Sequence, residues 1–366
     1  MTQKPAERET AQFPGEDMTN KSIRYAIVGA GMGAETHAIE LPQVKGAILE
    51  AVYGRNPEKA EAFRARYGAR KAYSDWDKML ADPEIDAVII VTPNGLHGKF
   101  AKSAARAGKH VIVEKPLEIT TARAREVMDV CEANGVSLFV IYQMRYTQSA
   151  QEIKATIESG KLGKIILANV IDNEYRKREY YAGDYWRGTR EFEGGGCLMT
   201  QTTHLLDLVQ YLVGPVKEVY AKVTTAVHEI ETEDLAVATL TFENGALGVV
   251  SSSTAAYPAQ RHMLTITGTE GTVIMNGEYD EIVYSGIRGS EEVIDTPEGF
   301  SFGDNADPRG FPTLRHRTQL QEITDSLISG KGDTEYSDDF LQALRVTDAI
   351  YLSAAEGRAV QTSDFK

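Results

Sequence analysis

Short apolar runs alternate with amphipathic segments over the first 142 residues of the chain. Short runs bounded by turn residues are typical of strands, whereas an apolar spacing near 3.6 residues is typical of helices. We predict strands at 23–28, 49–53, 71–73, 87–91, 111–114 and 137–142, and helices from 35 and at 57–67, 74–81, 100–107 and 121–134. Strands that alternate with helices predict an α/β Rossmann domain, which is a doubly wound parallel sheet.

The period of the apolar positions changes beyond residue 143. We predict helices at 146–159 and 197–212, and strands at 165–171, 217–227, 235–242, 246–253, 262–267 and 271–275. Successive strands without intervening helices predict an α+β domain with a large, mainly antiparallel sheet. The expected organisation is a loose tail at 1–20, a dinucleotide-binding domain at 21–142, and a substrate-binding and oligomerisation domain at 143–366.

Composition narrows the class of partner. A formal net charge of −14 argues against nucleic acid and anionic membranes. No apolar stretch reaches the roughly 18–20 residues of a membrane span. Cys131 and Cys197 show no metal-ligand spacing, so we expect no metal site and a reducing, cytoplasmic location. A sheet face that is not covered by helices predicts a homodimer or homotetramer.

A glycine-rich turn follows the first predicted strand, with the sequence Gly29-Ala30-Gly31-Met32-Gly33-Ala34. A strand, a glycine turn and a helix in succession are the context of a dinucleotide fingerprint. Gly29 allows the tight turn, Gly31 lets the backbone approach a pyrophosphate, and the helix N-terminus favours the phosphates. The alternative is a glycine-rich turn without a ligand.

The end of the second predicted strand bears on the choice of cofactor. A carboxylate there would bond the ribose 2′-hydroxyl of NAD. The strand instead ends in Tyr53-Gly54-Arg55-Asn56, and Glu50 lies too near its start. Because a guanidinium group matches a 2′-phosphate, Arg55 favours NADP slightly over NAD. Alternatively, Arg55 stacks on the adenine or caps the next helix.

The segment 111–117 has the sequence Val-Ile-Val-Glu-Lys-Pro-Leu. Proline cannot donate to a sheet ladder, so Pro116 marks the end of the strand. Lys115 then lies at the carboxyl edge of the sheet, where open α/β sheets bind their ligands. The alternative is a solvated loop lysine that pairs with Glu114.

The predicted helix 197–212 follows three glycines and carries polar residues on one stripe. Thr200, His204 and Asp207 are spaced i, i+4 and i+7, and polar groups on a buried helix require partners. A cleft would supply those partners; the alternative is a structural His204 that is hydrogen-bonded to Asp207.

Upstream of this helix lies a group of aromatic and charged residues that suits a sugar ring or, equally, a subunit interface. They are Tyr180, Tyr181, Tyr185, Trp186 and Arg187.

Taken together, these motifs resemble the Gfo/Idh/MocA family, which is named for glucose–fructose oxidoreductase and inositol dehydrogenase. The resemblance covers nearly all of residues 22–360. Its carriers are the glycine turn, Thr92-Pro93-Asn94 with His97, the run 107–111 leading to Glu114-Lys115-Pro116, and Gly194-Gly195-Gly196 with His204 and Asp207.

The resemblance implies hydride exchange between NAD(P) and a secondary alcohol or ketone of a sugar, polyol or sugar derivative. It implies that Lys115 and His204 are catalytic: His204, which titrates near neutrality, is the base, and cationic Lys115 holds the oxygen. The expected cofactor contacts are Gly29, Gly31, Met32, Gly33, Arg55, Thr92, Pro93, Asn94, His97, Glu114 and Lys115. The expected substrate contacts are Lys115, Tyr181, Trp186, Arg187, Thr200 and His204.

One position departs from the family pattern. Inositol-dehydrogenase-like members usually have an aspartate four residues before the histidine, and Thr200 stands there in this chain. A neutral hydroxyl does not raise the basicity of the histidine as a carboxylate would, so the division of acid–base work between His204 and Lys115 stays open. Two other functions stay open: a glycosidase-type enzyme with tightly bound, internally recycled NAD, and a non-catalytic sensor that binds a dinucleotide.

Overall fold

The computed structural model describes residues 21–260, 262–276, 280–290, 293–295, 313–330 and 338–365. The expected N-terminal tail at 1–20 lies outside the described residues. Within the described part of the chain, no helix combines the length and the apolar character that a membrane span requires.

Six parallel strands form the first sheet, because apolar runs such as Ala87–Ile90 are buried on both faces. The strands are β1 (Ile23–Val28), β2 (Ala47–Tyr53), β3 (Lys71–Tyr73), β4 (Ala87–Ile90), β5 (His110–Glu114) and β6 (Leu138–Ile141). The helices between them are α1 (Met32–Glu40), α2 (Pro57–Tyr67), α3 (Trp76–Leu80), α4 (His97–Arg106) and α5 (Thr121–Ala133).

The strand order of this sheet is β3-β2-β1-β4-β5-β6. The order reverses between β1 and β4, and a crevice opens at the carboxyl ends of strands where such a reversal occurs. Local signals fix the helix ends: the Asn56 side chain accepts from the Lys59 amide, and Gly68 ends α2 in the left-handed conformation. The predicted Rossmann fold is confirmed.

Nine strands form the second sheet, in the order β14-β13-β12-β11-β7-β10-β9-β8-β15. All neighbours are antiparallel except β7 and β10. The strands are β7 (Ile165–Asn173), β8 (Val216–Thr224), β9 (Leu235–Phe242), β10 (Leu247–Ser253), β11 (Met263–Gly268), β12 (Gly271–Asn276), β13 (Glu281–Ile287), β14 (Ile294–Asp295) and β15 (Val360–Gln361). The helices are α6 (Gln148–Glu158), α7 (Arg178–Ala182), α8 (Thr203–Val213), α9 (Leu314–Ser329) and α10 (Asp339–Glu356). The predicted α+β fold is confirmed.

Two predicted elements differ from the structure for local reasons. The strand predicted to reach residue 227 ends at Thr224, because the amides of Ala226, Val227 and His228 turn inward and donate to the Asp234 carboxylate. The helix predicted at 197–212 is not one α-helix. A π-helical turn at Leu198–Thr202 precedes α8, and such turns are frequent at functional sites.

Helix α9 returns the chain to the first domain. Leu320, Ile323 and Leu327 pack into the same apolar cluster as β1, β4 and α1. The Tyr25 hydroxyl hydrogen-bonds Thr324 Oγ1 at 2.8 Å, and Gln319 Nε2 donates to the carbonyl of Val140 at 2.9 Å. This helix was not predicted from the sequence, and its first turn brings two further polar residues to the cavity described next.

Candidate active site

One cavity of about 1310 Å³ lies between the two sheets. Its first wall consists of residues that follow β1, β2, β4 and β5, so it opens at the carboxyl edge of the parallel sheet. Its second wall comes from the end of β7, from α7 and the segment after it, and from the helix after the three glycines. The volume exceeds that of a drug-sized pocket and suits a dinucleotide together with a small substrate.

The glycine turn forms one end of this cavity. Gly29 has φ +125°, and a Cβ there would lie 2.5 Å from the carbonyl oxygen of Val91. Gly31 is the N-cap of α1, has no side-chain cap, and has nothing within 4 Å of an added Cβ. The first amides of α1 therefore have no capping side chain, and the space before them is open. These features fit a bound pyrophosphate.

Every expected cofactor contact lines this cavity. Two of them, Asn94 and His97, also make hydrogen bonds that connect separate segments of the chain. The Asn94 amide donates to the carbonyl of Glu193 at 2.9 Å, so a first-domain loop is fixed to the second domain. His97 is buried, with its ring nitrogens 2.7 Å from the Pro116 oxygen and 2.8 Å from the Thr92 oxygen. The residues concerned are Gly29, Gly31, Met32, Gly33, Arg55, Thr92, Pro93, Asn94, His97, Glu114 and Lys115.

Arg55 lies at the mouth of the cavity and already has a partner. Its Nη2 donates to the Tyr185 hydroxyl at 2.8 Å, and its guanidinium carbon lies 5.4 Å from the centre of that ring. Glu50 is buried and pairs with Arg70 at 3.1 Å and with Lys71 at 3.2 Å. No carboxylate from β2 therefore reaches the position expected for the ribose.

Glu114 sits between two histidines that sequence reasoning missed. Its Oε1 lies 2.7 Å from Nε2 of buried His37 and 3.9 Å from Nε2 of His316, on α9. Burial alone would raise the pKa of Glu114, but the hydrogen bond and charge of His37 bring it to about 2. Burial also lowers the pKa of His316, to about 3. Glu114 is thus an ionised carboxylate within the cavity wall.

Lys115 is not the solvated partner of Glu114. Its side chain reaches the second domain, where Nζ donates to the carbonyl oxygen of Thr200 at 2.7 Å. Burial lowers the pKa of Lys115, against the opposing charges of Glu114 and Glu174. An ammonium group has three N–H donors, so two remain to face a ligand.

His204 faces the same cavity from the start of α8. Its Nδ1 is buried and has no hydrogen-bond partner within the described residues. The expectation that it titrates near neutrality is wrong. Burial lowers its pKa well below the usual value, and the nearby charges of Lys115 and Arg315 lower it further. His204 is therefore a neutral imidazole at pH 7.

Asp207 does not hold His204. Its carboxylate makes a two-point ion pair with Arg145, at 2.5 Å and 2.8 Å. Asp207 is buried, and burial raises its pKa against the charge of Arg145. The stripe of Thr200, His204 and Asp207 thus divides: the first two line the cavity, whereas Asp207 anchors α8 to the segment after β6.

The expected substrate contacts also divide. Tyr181 turns away from the cavity, because its hydroxyl hydrogen-bonds Thr254 Oγ1 at 2.7 Å and its ring packs on His228. Its neighbour Tyr180 lines the cavity instead. Trp186 and Arg187 line the cavity as expected, and the Arg187 guanidinium lies 4.0 Å from the Tyr180 ring and 4.4 Å from the Trp186 ring. Thr200 and His204 complete this wall.

The second sheet contributes a polar cluster that was not predicted. His262 Nε2 lies 2.8 Å from Glu174 Oε1 and 3.3 Å from Asp172 Oδ1, and Glu174 pairs with Arg176. The donor atoms of Asp172, Glu174 and His262 are close enough to hold a metal ion. The guanidinium of Arg176 supplies a cation to the same cluster, so an internal ion-pair network explains the arrangement.

The cavity residues that the sequence did not predict were missed for one common reason. Glu174 and Arg176 precede the aromatic segment, His262 directly precedes β11, and Arg315 and His316 lie on the unpredicted helix α9. Each is far along the chain from the motif it meets, so no spacing rule could connect them. Glu193 directly precedes the three glycines in the sequence, but nothing in the sequence indicates that its carboxylate contacts Thr200.

Two family models cover most of the chain. Residues 23–142 match the model described as "Oxidoreductase family, NAD-binding Rossmann fold". Residues 150–274 match the GFO/IDH/MocA C-terminal domain. The chain belongs to the Gfo/Idh/MocA family. Its membership confirms the resemblance seen in the motifs and identifies the first domain as the NAD-binding domain of an oxidoreductase.

Similar proteins cover between 73% and 94% of the chain. Levoglucosan dehydrogenase of Pseudarthrobacter phenanthrenivorans is 26% identical, over 94% of this chain and 95% of that protein. Myo-inositol 2-dehydrogenase of Thermotoga maritima is 27% identical, over 73% of this chain and 80% of that protein. The crystal structure of the WlbA dehydrogenase of Bordetella pertussis, in complex with NADH and UDP-GlcNAcA, is similar with a TM-score of 0.79 and 31% identity, over 94% of this chain and 98% of that one.

Substitution of Gly31 tests the phosphate cradle. Gly31→Ala should leave the thermal unfolding midpoint unchanged, because its backbone is extended and the added methyl meets no protein atom. It should weaken NADH binding about tenfold, or ~1.4 kcal/mol, because the methyl enters the space before the amides of α1. Fluorescence titration with NADH measures this affinity.

Gly29→Ala is the matched control, since its methyl meets the Val91 carbonyl oxygen and should lower the unfolding midpoint itself. Unchanged NADH affinity in Gly31→Ala would show that the pyrophosphate does not approach this turn.

Proposed function

We propose that the chain is an NAD(P)-dependent dehydrogenase or reductase that exchanges hydride with a secondary alcohol or ketone of a sugar, polyol or sugar derivative. One observation carries the proposal. A single cavity runs from the glycine turn, which suits the cofactor phosphates, to Lys115 and His204, which suit a reacting hydroxyl group. The named relatives act on sugars and polyols, which supports this substrate class.

The two catalytic residues have different charges, and alcohol oxidation needs both: His204 is a neutral base and Lys115 is a cation. A nicotinamide bound in the first domain supplies the hydride acceptor. Neutral His204 can take the hydroxyl proton, and its low basicity is offset because Lys115 lowers the pKa of the bound hydroxyl. The free N–H groups of Lys115 stabilise the negative charge that develops on the oxygen. In the reverse direction the same residues return the proton to the ketone oxygen.

The other cavity residues suit a polyhydroxylated ring. Tyr180 and Trp186 offer flat aromatic surfaces beside Arg187. The cluster of Glu174, Arg176 and His262 adds donors and acceptors to the lining of the same cavity. Neither the recycled-NAD glycosidase nor the dinucleotide sensor is favoured, since the named relatives are dehydrogenases.

Lys115→Ala tests the mechanism. It should lower kcat at least about a hundredfold, because a donor to the developing oxyanion is lost, while NADH affinity changes little. Absorbance at 340 nm over a panel of sugars, glycosides and inositols measures turnover with each cofactor. Lys78→Ala, an exposed lysine outside the cavity, is the control. Near-normal turnover in Lys115→Ala would remove Lys115 from the mechanism.

We also propose a preference for NADP over NAD. The support is Arg55 at the mouth of the cavity and the engagement of Glu50 by Arg70 and Lys71. A 2′-phosphate at this point would meet a guanidinium and no carboxylate from β2.

Arg55→Ala should weaken NADP binding about tenfold more than NAD binding, because only NADP loses a charge-assisted contact. Tyr185→Phe is the control: it removes the hydroxyl that Arg55 contacts and keeps the guanidinium. Binding constants for both reduced cofactors measure the ratio. Equal loss with both would mean that Arg55 stacks on the adenine.

We further propose a homo-oligomer, assembled through the outer face of the second sheet, in a reducing cytoplasm that suits the two unpaired cysteines. Leu247 and Val249 on β10, Val237 on β9 and Tyr220 on β8 are exposed on one face. Several large apolar side chains exposed on one sheet face are typical of an interface.

Leu247→Asp should dissociate the oligomer, because it buries a charge in that interface; Leu247 is 57% exposed in the single chain. Val227→Asp, at an equally exposed position outside the strands, should leave the mass unchanged. Light scattering after gel filtration measures the mass. A wild-type monomer, or equal effects of both variants, would contradict the proposal.

A further inference from the structure

Thr200 occupies the position where inositol-dehydrogenase-like members usually have an aspartate, and in the structure it contacts a carboxylate from another residue. Position 200 has no carboxylate in this chain, but the side chain of Thr200 touches one. Its Oγ1 donates to Glu193 Oε1 at 2.8 Å, and Glu193 is 1% exposed. Glu193 does not line the cavity, whereas Thr200 does. The carboxylate therefore lies one residue behind the cavity wall.

Thr200 links this carboxylate to Lys115. While its hydroxyl donates to Glu193, its carbonyl oxygen accepts from Lys115 Nζ at 2.7 Å. Thr200 lies within the π-helical turn Leu198–Thr202, where the hydrogen-bond spacing is longer than in an α-helix. The backbone carbonyl of Thr200, in this irregular turn, accepts from a side chain of the other domain.

We propose that Glu193 is a positioning residue which, through Thr200, supplies the carboxylate that fixes Lys115 in its active position. The inference rests on the proposed function, because it assumes that Lys115 acts on the substrate oxygen. Glu193 itself touches neither substrate nor cofactor. Its second oxygen accepts from the Gly188 amide, so both oxygens are held and the direction of the Thr200 hydrogen bond is fixed.

The surroundings of Glu193 make its charge sensitive to pH. Burial raises its pKa to about 7, against the Gly188 amide, the Thr200 hydroxyl and the charge of Arg187, while Glu233 raises it further. The other titratable groups that sense its charge are Lys115, Tyr180, Tyr181 and Tyr351, and burial raises the pKa of each of these tyrosines. None of the three tyrosines ionises near neutrality.

The sign of the pH effect follows. Above pH 7 Glu193 is a carboxylate, accepts from Thr200 and favours the ammonium form of Lys115. Below pH 7 it is protonated and that support is lost, so kcat should fall as the pH decreases through about 7. His204 cannot produce this limb, because its pKa lies well below its usual range.

Three variants test the inference: Glu193→Gln, Thr200→Val, and the double variant Glu193→Gln with Thr200→Asp. Glu193→Gln should lower kcat about tenfold at pH 8 and abolish the limb near pH 7, with little change in NADH affinity. Thr200→Val should lower kcat similarly, because the link is cut while Glu193 stays. The double variant should recover kcat, because Asp at 200 returns a carboxylate to the residue whose carbonyl oxygen holds Lys115.

A second measurement does not depend on turnover. In protein labelled with ¹³C at the glutamate carboxyl, the resonance that disappears in Glu193→Gln should titrate near pH 7 and shift in Thr200→Val. A resonance that titrates near 4.5, or that ignores Thr200→Val, overturns the inference. So does an active enzyme whose pH profile is the same in Glu193→Gln. If Glu193→Gln is inactive only because it loses the Gly188 contact and is unstable, its thermal unfolding midpoint will be lower than that of the wild type. In that case, the activity of Thr200→Val, which leaves the Gly188 contact intact, decides whether the inference holds.

The failure of the proposed function gives a different result. If wild-type protein turns over no sugar or polyol with either cofactor, the dehydrogenase proposal fails. The carboxyl titration and its response to Thr200→Val then still decide whether Glu193 is coupled to Thr200.

Discussion

The hydrogen bond from the Lys115 ammonium to the Thr200 carbonyl joins the two halves of the site. Lys115 comes from the edge of the parallel sheet and Thr200 from the helix that follows the three glycines. A backbone carbonyl is an acceptor that does not ionise, so this contact holds the amine without neutralising it. With the hydrogen bond from the Asn94 side chain to the Glu193 carbonyl, this contact connects the carboxyl edge of the parallel sheet to the substrate wall.

Three buried carboxylates near this hydrogen bond are each paired with a basic side chain. Glu114 meets His37, Asp207 meets Arg145, and Glu174 meets Arg176 and His262. An unpaired buried charge costs several kcal/mol, so removal of one member of any of these pairs should destabilise the fold. His204 differs from these groups, because burial, together with the nearby charges of Lys115 and Arg315, lowers its pKa and keeps it neutral.

Local sequence signals predicted the parts of the site that a single segment builds. The glycine turn, the strand that ends in Glu114-Lys115-Pro116 and the helix with His204 each carry their own pattern of apolar and turn residues. The predictions failed where a partner comes from elsewhere in the chain. Asp207 turned to Arg145 and Tyr181 to Thr254, because the competing contacts come from segments that no periodicity connects to them.

The π-helical turn illustrates the same limit. Apolar spacing predicted a continuous helix from 197, since the difference between four- and five-residue hydrogen bonds leaves almost no trace in the order of apolar residues. What fixes the turn lies outside it: the Glu233 carboxylate accepts from the amides of Gly196 and Leu198, both at 3.0 Å. A residue more than thirty positions downstream thus determines the start of this helix.

Helix α9 has a consequence for synthesis on the ribosome. The parallel sheet is complete by Ile141, yet its apolar cluster includes Leu320, Ile323 and Leu327, which are translated much later. Until those residues emerge, the nascent first domain exposes the groove that α9 will fill, and exposed apolar surface favours aggregation. Strands β7 to β14 of the second sheet are synthesised in that interval. The cofactor-binding half, although first in the sequence, therefore cannot finish folding until most of the second sheet has been made.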